Sequence, residues 1–280
     1  MQDRYQRALN DRGVALIIVL LVTALLIALI FEFAYGTRVS LRAAANFRNS
    51  QRAYFLARSG LSYFAKYPEL RNYIPQKECQ PLPFVSEGDK ILTICWEDES
   101  GKIDISLVSQ GDPIMFPRQS NLFDIRGVDT NILNQISTWM TSNQRTRFYR
   151  LSELHQFMND EDFLKVQDAL TVSQTRKINV NTASEDVLRS ICRTFGYTDG
   201  AAKIIADRRT AEAFTDATLQ SFLTNNNLGN LSPAVTSSSS DFKVDLLATV
   251  GGYTRHIEAI VKVSPAGGSS AYIVNYWREL

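Results

Sequence analysis

Val14 to Phe31 reads VALIIVLLVTALLIALIF, eighteen residues with no charge and with Thr23 as the one polar side chain. Wound as an α-helix, this run is about 27 Å long, roughly the thickness of one hydrocarbon core. A short polar stretch, MQDRYQRALNDRG, precedes it and carries Arg4, Arg7 and Arg12. A cleaved secretory signal would have a shorter apolar region and a small-residue cut site after it. Here the run is followed by Phe31-Glu32-Phe33-Ala34-Tyr35. Two readings remain: a plain single-span anchor, or a leader cut after Gly13, immediately before the apolar run.

The segment beyond the run is as informative. Gly36 to Tyr67 contains no Pro and is rich in Ala, Leu and Arg, and Pro68 stops it. Ala34, Leu41, Ala44, Ala45, Ala53, Leu56, Ala57, Leu61 and Phe64 fall mainly along one helical face. One helix from Val14 to Tyr67 would be about 80 Å long, apolar all round at first and amphipathic afterwards. The charge is split to match. Residues 1–68 hold nine basic and three acidic groups, whereas the whole chain has a net charge of +1. Arg4, Arg7 and Arg12 favour a cytoplasmic N-terminus, but Arg38, Arg42, Arg48, Arg52 and Arg58 lie beyond the span and outnumber them.

Residues 82–108 read as strands, with apolar alternation broken at Glu87-Gly88-Asp89 and at Asp98-Glu99-Ser100-Gly101. From 111 to 230 the apolar spacing becomes helical, as in Ile132-Leu133-Ile136-Trp139-Met140 and Val187-Leu188-Ile191. Thr236 to Ser240 is a polar connector. Asp241–Val250, Thr254–Ser264 and Ala271–Leu280 then read as an antiparallel meander around Gly251-Gly252 and Pro265–Ser270. The order predicts an α+β fold. A long N-terminal helix packs on an antiparallel sheet, and a large all-α unit is inserted between the sheet's two halves.

The leader ending in Gly13, the long helix, GKIDISLV, RLSELHQF, KINVNTASEDVL and the final hairpins together resemble the K-type minor pseudopilins of type II secretion. The resemblance covers nearly the whole chain. It implies a prepilin-type leader at 1–13, a transmembrane part at 14–31 and an amphipathic continuation at 32–67. It further implies a β domain at 68–110 and 241–280, interrupted by an α domain at 111–240 with a helix-hairpin-helix-like part at 177–225. Cleavage between Gly13 and Val14 and N-methylation of Val14 are implied. So are a single-pass inner-membrane location and a periplasmic globular part. The implied partners are I- and J-type minor pseudopilins, then the H-type and the major G-type. Prepilin peptidase, the inner-membrane assembly platform, and secreted cargo or the outer-membrane secretin complete the set. Most pilin-like subunits carry Glu at the fifth position after the cut, where this chain has Ile18. A carboxylate buried among apolar helices needs a partner such as the N-terminal amine of a neighbouring subunit. Its absence suits a subunit with nothing above it, at the tip.

Ile178-Asn179-Val180-Asn181-Thr182-Ala183 resembles the opening of a helix-hairpin-helix, an element shared with DNA-uptake receptors. Thr182 or Ser184 can cap the helix that follows, and Glu185 and Asp186 suit its first turn. Ile178, Val180, Val187 and Leu188 would tie the motif to the core. Phosphate binding by such a hairpin uses a Gly-hydrophobic-Gly turn presenting backbone N–H groups. The turn here reads RTFGYTDG, Arg193 to Gly200, and Asp199 places a negative charge where phosphate would sit. Lys203, Arg208 and Arg209 are diluted by Asp207 and Glu212. A DNA-uptake receptor and an adhesive minor type IV pilus subunit are the competing functions.

Cys79 and Cys95 flank the first strand region and can pair in an oxidising compartment or remain as two buried thiols. Cys192 reads as core packing. The family's calcium-binding segment corresponds to Thr138–Arg145, where Trp139 is kept but the carboxylates are replaced and Arg145 is cationic. The ligands of a family-type calcium site are thus lost, and no other cofactor is expected. Asp160-Glu161-Asp162 reads as a helix start. Two His residues, His155 and His256, stand without evident partners. P-loop, HExxH, G-x-S-x-G and GxGxxG patterns are absent, so the chain is not expected to be an enzyme.

Overall fold

The computed structural model describes residues 2–66, 78–81, 88–106, 108, 112–173, 175–263 and 272–280; of residues 2–12 and 78–81 only the backbone is described. Helix α1 runs unbroken through Gln2–Lys66. It holds a stretch long and apolar enough to cross a membrane, and none of that stretch is buried within the protein. The expected end at Tyr67 and Pro68 lies outside the described residues.

The sheet is five-stranded, in the order β1 (Glu78–Pro81), β2 (Lys90–Asp98), β7 (Asp241–Val250), β8 (Tyr253–Val263), β9 (Tyr272–Glu279), and every pair is antiparallel. The two β stretches, far apart in sequence, therefore join in one sheet through β2 and β7. Gly251 and Gly252, both at positive φ, make the tight turn from β7 to β8, and Val250 pairs with Tyr253 across it.

Strand alternation divides the sheet's two faces. Leu92, Ile94, Trp96, Phe242, Val244, Leu246, Ala248, Ile257, Ala259, Val261 and Val263 form one apolar cluster with Ala57, Leu61 and Phe64 of α1. Burying Leu61 and Phe64 contributes about 3–6 kcal/mol of transfer free energy. Gly60 is the flat spot on which the helix rests: a Cβ there would lie 2.7 Å from Leu246 Cδ2. The expected apolar face is shorter than its spacing suggested. It is buried from Ala53 onward, whereas Leu41 is 65% exposed.

The helical unit comprises α2 (Met115–Ile125), α3 (Asn131–Ser142), α4 (Asp160–Val166), α5 (Glu185–Thr194), α6 (Asp199–Ala211) and α7 (Asp216–Asn225). It has its own core of Leu122, Phe123, Leu133, Ile136, Leu154, Leu188 and Ile191, among others. Two parallel two-residue pairings cross it, β3 (Ile103–Asp104) with β4 (Leu170–Thr171) and β5 (Ile178–Asn179) with β6 (Val235–Thr236). The unit is thus predominantly rather than purely helical. Ile103, Ile105 and Val108 pack into its core, so the chain leaves the sheet at Asp98, before the division expected at residue 110. Ile260, on the sheet face opposite α1, joins the same core and docks the two parts together.

The sheet has a near end and a far end relative to the apolar run. Arg255 donates to Ser50 Oγ at 2.6 Å, and a Cβ on Gly251 would meet Asn49, which sets the β7–β8 turn beside Asn49 and Ser50 of α1. Phe64 meets Phe242 and Trp96 at centroid distances of 5.4 and 5.9 Å. Asp98, where the chain leaves the sheet, pairs with Phe242. The helical unit therefore springs from the end of the sheet remote from Val14–Phe31, about 50 Å along α1 from Phe31.

Candidate functional site

The motif at 178–183 lies at the seam between helical unit and sheet. Ile178, Val180 and Ala183 are fully buried. Its polar residues turn to the chain around them. Asn179 Nδ2 donates to Ser239 Oγ (2.7 Å) and Asp98 Oδ2 (3.2 Å), and Asn179 Oδ1 accepts from the N–H of Asn181. Asn181 Nδ2 donates to the carbonyls of Phe214 and Ser237, both at 2.9 Å, and its Oδ1 accepts from the Phe214 N–H. Thr182 Oγ1 donates to Asp98 Oδ2 at 2.5 Å and does not cap α5. Ser184 does, accepting from the Val187 N–H. Arg209 of α6 donates to the carbonyls of Val180 and Ala183.

Asp98 is the hub that the sequence reading missed. It ends β2, and its carboxylate accepts from the Ser100 N–H, Asn179, Thr182 and Ser239. Three stretches of chain, residues 98–100, 179–182 and 239, thus close on one carboxylate. The one available clue was an Asp at a turn after a strand, which is also the commonest bland pattern. Gly101 lies so close to the motif that a Cβ there would fall 2.6 Å from Thr182 Oγ1 and 2.9 Å from the Ala183 nitrogen.

The turn between α5 and α6 holds its own anion. Asp199 opens α6, and both its oxygens are gripped by guanidiniums. Arg193 Nε reaches Oδ1 at 2.7 Å and Arg193 Nη2 reaches Oδ2 at 2.8 Å. Arg189 Nε and Nη2 reach Oδ2 at 3.0 and 2.8 Å. Hydrogen bonds from Arg193 and Arg189 hold the Asp199 carboxyl well below the usual carboxylate range. A phosphate approaching this helix N-terminus would meet a carboxylate already in its place. The pairing continues through Arg193–Asp124, Arg189–Asp186 and Arg126–Asp186, welding α2 to α5.

The remaining predicted residues fall elsewhere. Gly13, Val14 and Ile18 lie on α1; Val14 is 55% and Ile18 57% exposed. Cys95 is disulfide-bonded and stands opposite Cys79 in the β1–β2 register. Cys192 is a free, buried thiol whose pKa burial pushes up to about 12, so it stays protonated. In the segment matching the calcium site, the Arg145 guanidinium sits 5.2 Å from the Trp139 ring centroid and pairs with Glu153 at 2.9 Å. No group of three or more His, Cys, Asp or Glu among the described residues could hold a metal ion. Asn159 caps α4, and Asp160-Glu161-Asp162 is its first turn. Both His residues have partners, contrary to expectation. His155 Nδ1 lies 3.1 Å from Asp160 and its ring rests on Phe163; His256 Nε2 lies 3.3 Å from Asp245.

A cleft of about 470 Å³ opens between the sheet and the segment 149–168. Its charges are paired across it: Lys102 with Glu97 and Glu99, both at 2.8 Å, and Glu258 with Lys243 and Arg278, both at 3.1 Å. Burial opposes the charge on Lys102, but Glu99 and Glu97 outweigh it and its pKa is raised.

Compared with known proteins, the chain matches no family model and no curated protein. It does match a solved structure, a chain from the crystal structure of the GspK-GspI-GspJ complex of the enterotoxigenic Escherichia coli type 2 secretion system. The match has a TM-score of 0.57 and spans 87% of this chain and 98% of that one, at 16% identity. The fold is pseudopilin-like.

Proposed function

We propose that this chain is a minor pseudopilin of a type II secretion system, of the K type, working at the tip of the periplasmic pseudopilus. The placement of the helical unit carries the reading. The apolar run lies at one end of α1 with every face uncovered, and the bulky unit rises from the opposite end of the sheet. Stacked subunits share the direction of their long helices, so a unit of this size at the far end would collide with a subunit above. Ile18 agrees, because a topmost subunit has no neighbouring amine to pair with a carboxylate. The solved complex to which the chain is similar contains GspI and GspJ beside GspK, which supports I- and J-type pseudopilins as its partners here.

On this reading the protein is not an enzyme but a substrate of prepilin peptidase. The peptidase cuts between Gly13 and Val14 and methylates Val14 at the cytoplasmic face of the inner membrane. The bond lies inside α1, and glycine there lowers helix stability by about 1 kcal/mol relative to alanine, which eases local unwinding. The work is assembly: the apolar helices of minor pseudopilins pack together and start the filament, and the helical unit faces cargo or the secretin. The disulfide at Cys95, which has Cys79 opposite it in the strand register, fits the oxidising periplasm.

Co-expression of the full chain with the small prepilin-like proteins encoded beside it tests the reading. The expected result is a stable complex recovered from detergent through a tag on this chain. A chain that ignores those partners, but shifts duplex DNA with an affinity falling steeply as salt rises, would instead be a DNA receptor.

A further inference from the structure

At the far end of the sheet, where the helical unit meets it, a cavity of about 370 Å³ is lined by Ser100, Arg176, Lys177, Ser238, Lys262 and neighbouring hydroxyls. Among the described residues that line it there is no carboxylate, which sets it apart from the mixed-charge cleft described above. Thr175 Oγ1 donates to the Lys177 carbonyl, Ser240 Oγ donates to Asp241, and Thr236 and Ser238 bond each other, which leaves the buried Ser100 hydroxyl and the exposed side chains of Arg176 and Lys177 without a described acceptor. Ser100 is 1% exposed, and its Oγ already accepts from the N–H groups of Ser240 (3.0 Å) and Asp241 (3.1 Å). With both lone pairs engaged, its O–H is left to donate, and no described residue accepts it. The side chains of Arg176 and Lys177 make no hydrogen bond or ion pair with a described residue; Asp112 acts on Arg176 only through its field. The nearest carboxylate oxygen to Lys262 Nζ is Asp241 Oδ2 at 3.9 Å, and that oxygen already accepts from Ser240 Oγ.

A buried hydroxyl donor and three cations, converging from the helical unit and from β8, have the chemistry of an oxyanion cradle. We propose that this cavity binds a phosphate or sulfate group, held by Arg176 and Lys177 on one side and by Lys262 and the Ser100 hydroxyl on the other. Because the cations belong to two different parts of the chain, the bound anion bridges the seam and stiffens it. The volume exceeds that of a bare anion, leaving room for a sugar to which the group is attached. The site stands whether or not the chain is a pseudopilin.

The test uses the full chain in detergent micelles, with thermal unfolding followed by tryptophan fluorescence. Inorganic phosphate, sulfate and glucose 1-phosphate are titrated in turn, with chloride adjusted to hold ionic strength constant. The wild-type melting temperature is expected to rise and saturate. In Lys177→Gln/Lys262→Gln the half-saturating concentration is expected to rise at least tenfold, and Lys203→Gln, an exposed residue of α6, should follow the wild type. A lower half-saturating concentration for glucose 1-phosphate than for phosphate would assign the site to a sugar-borne group; equal values would assign it to the free anion. A rise of the same size in wild type and the double variant would be a cosolvent effect on the whole protein. That result, or no rise at all, would overturn the proposal.

Discussion

Asp98→Ala removes the acceptor on which the seam closes. In the native chain its carboxylate takes hydrogen bonds from Thr182 Oγ1 (2.5 Å), Ser239 Oγ (2.6 Å), Asn179 Nδ2 (3.2 Å) and the Ser100 N–H (2.8 Å). A hydrogen bond to a charged group is worth about 1.5–3 kcal/mol. The loss is smaller than four such bonds, because Asn179 keeps Ser239 Oγ and the Thr182 hydroxyl can turn to the Asn179 carbonyl, 3.5 Å away. A cost of about 3–5 kcal/mol is expected, a large part of the 5–15 kcal/mol by which a domain is ordinarily stable. The assay is urea unfolding of the full chain in detergent, followed by far-UV circular dichroism and tryptophan fluorescence. The two signals should coincide in the wild type and separate in the variant, because the sheet and the helical unit have distinct cores that would no longer unfold together. A double-mutant cycle with Thr182→Val should show coupling of about 0.5–3 kcal/mol. A cost under about 1 kcal/mol, or strict additivity with Thr182→Val, would refute the claim that Asp98 closes the seam.

Gly101→Ala should destabilise by roughly 1–3 kcal/mol or more, and Thr182→Ala should not rescue it, since the clash extends to the backbone of residues 182 and 183; thermal melts of the single and double variants decide. Asp199 is expected to shape the acid limb of stability. Its carboxyl titrates lower in the folded chain than in the unfolded one, so its contribution is complete above the ordinary Asp value near pH 4 and is lost as pH falls toward the lower folded value. Melting temperatures of Asp199→Asn should accordingly be lowered at pH 7 and converge on the wild type in acid. Millimolar calcium should leave the melting temperature unchanged, Asp124 being paired with Arg193; a calcium-dependent rise would reveal a set of oxygen ligands elsewhere in the chain. If the chain is the tip pseudopilin proposed above, Ile18→Glu should give no gain in secretion or filament number, with a burial cost of roughly 2–4 kcal/mol; better assembly by this variant would refute the tip placement.

Much of the fold was legible because its strongest signals are periodic. The uncharged run at 14–31 and the helical spacing after it mark α1, and the three alternating stretches near the C-terminus mark β7, β8 and β9. The joining of β2 to β7 was legible through resemblance, since no local pattern states which strands pair. What escaped was set by packing at a distance. Leu41 shares a helical face with Leu61 and Phe64, yet the sheet reaches only the latter pair. His155 and His256 looked alone because Asp160 and Asp245 meet them only in the folded chain. The motif at 178–183 was visible at once, but its partners come from residues 98, 214, 237 and 239, and no spacing rule connects those.

The seam also bears on the order in which the chain folds. Ser240 N–H and Ser100 Oγ meet at 3.0 Å although 140 positions separate them. Closing a disordered loop of that length costs roughly 4 kcal/mol of chain entropy before any contact between its ends compensates. If the helical unit forms first around its own core, its two ends emerge side by side. The β2–β7 pairing is then reduced to a short-range event, little harder than a hairpin. The sheet is therefore expected to be the late-forming part. Substitutions in the core of the helical unit should slow refolding of the whole chain, whereas those between α1 and the sheet should mainly speed unfolding.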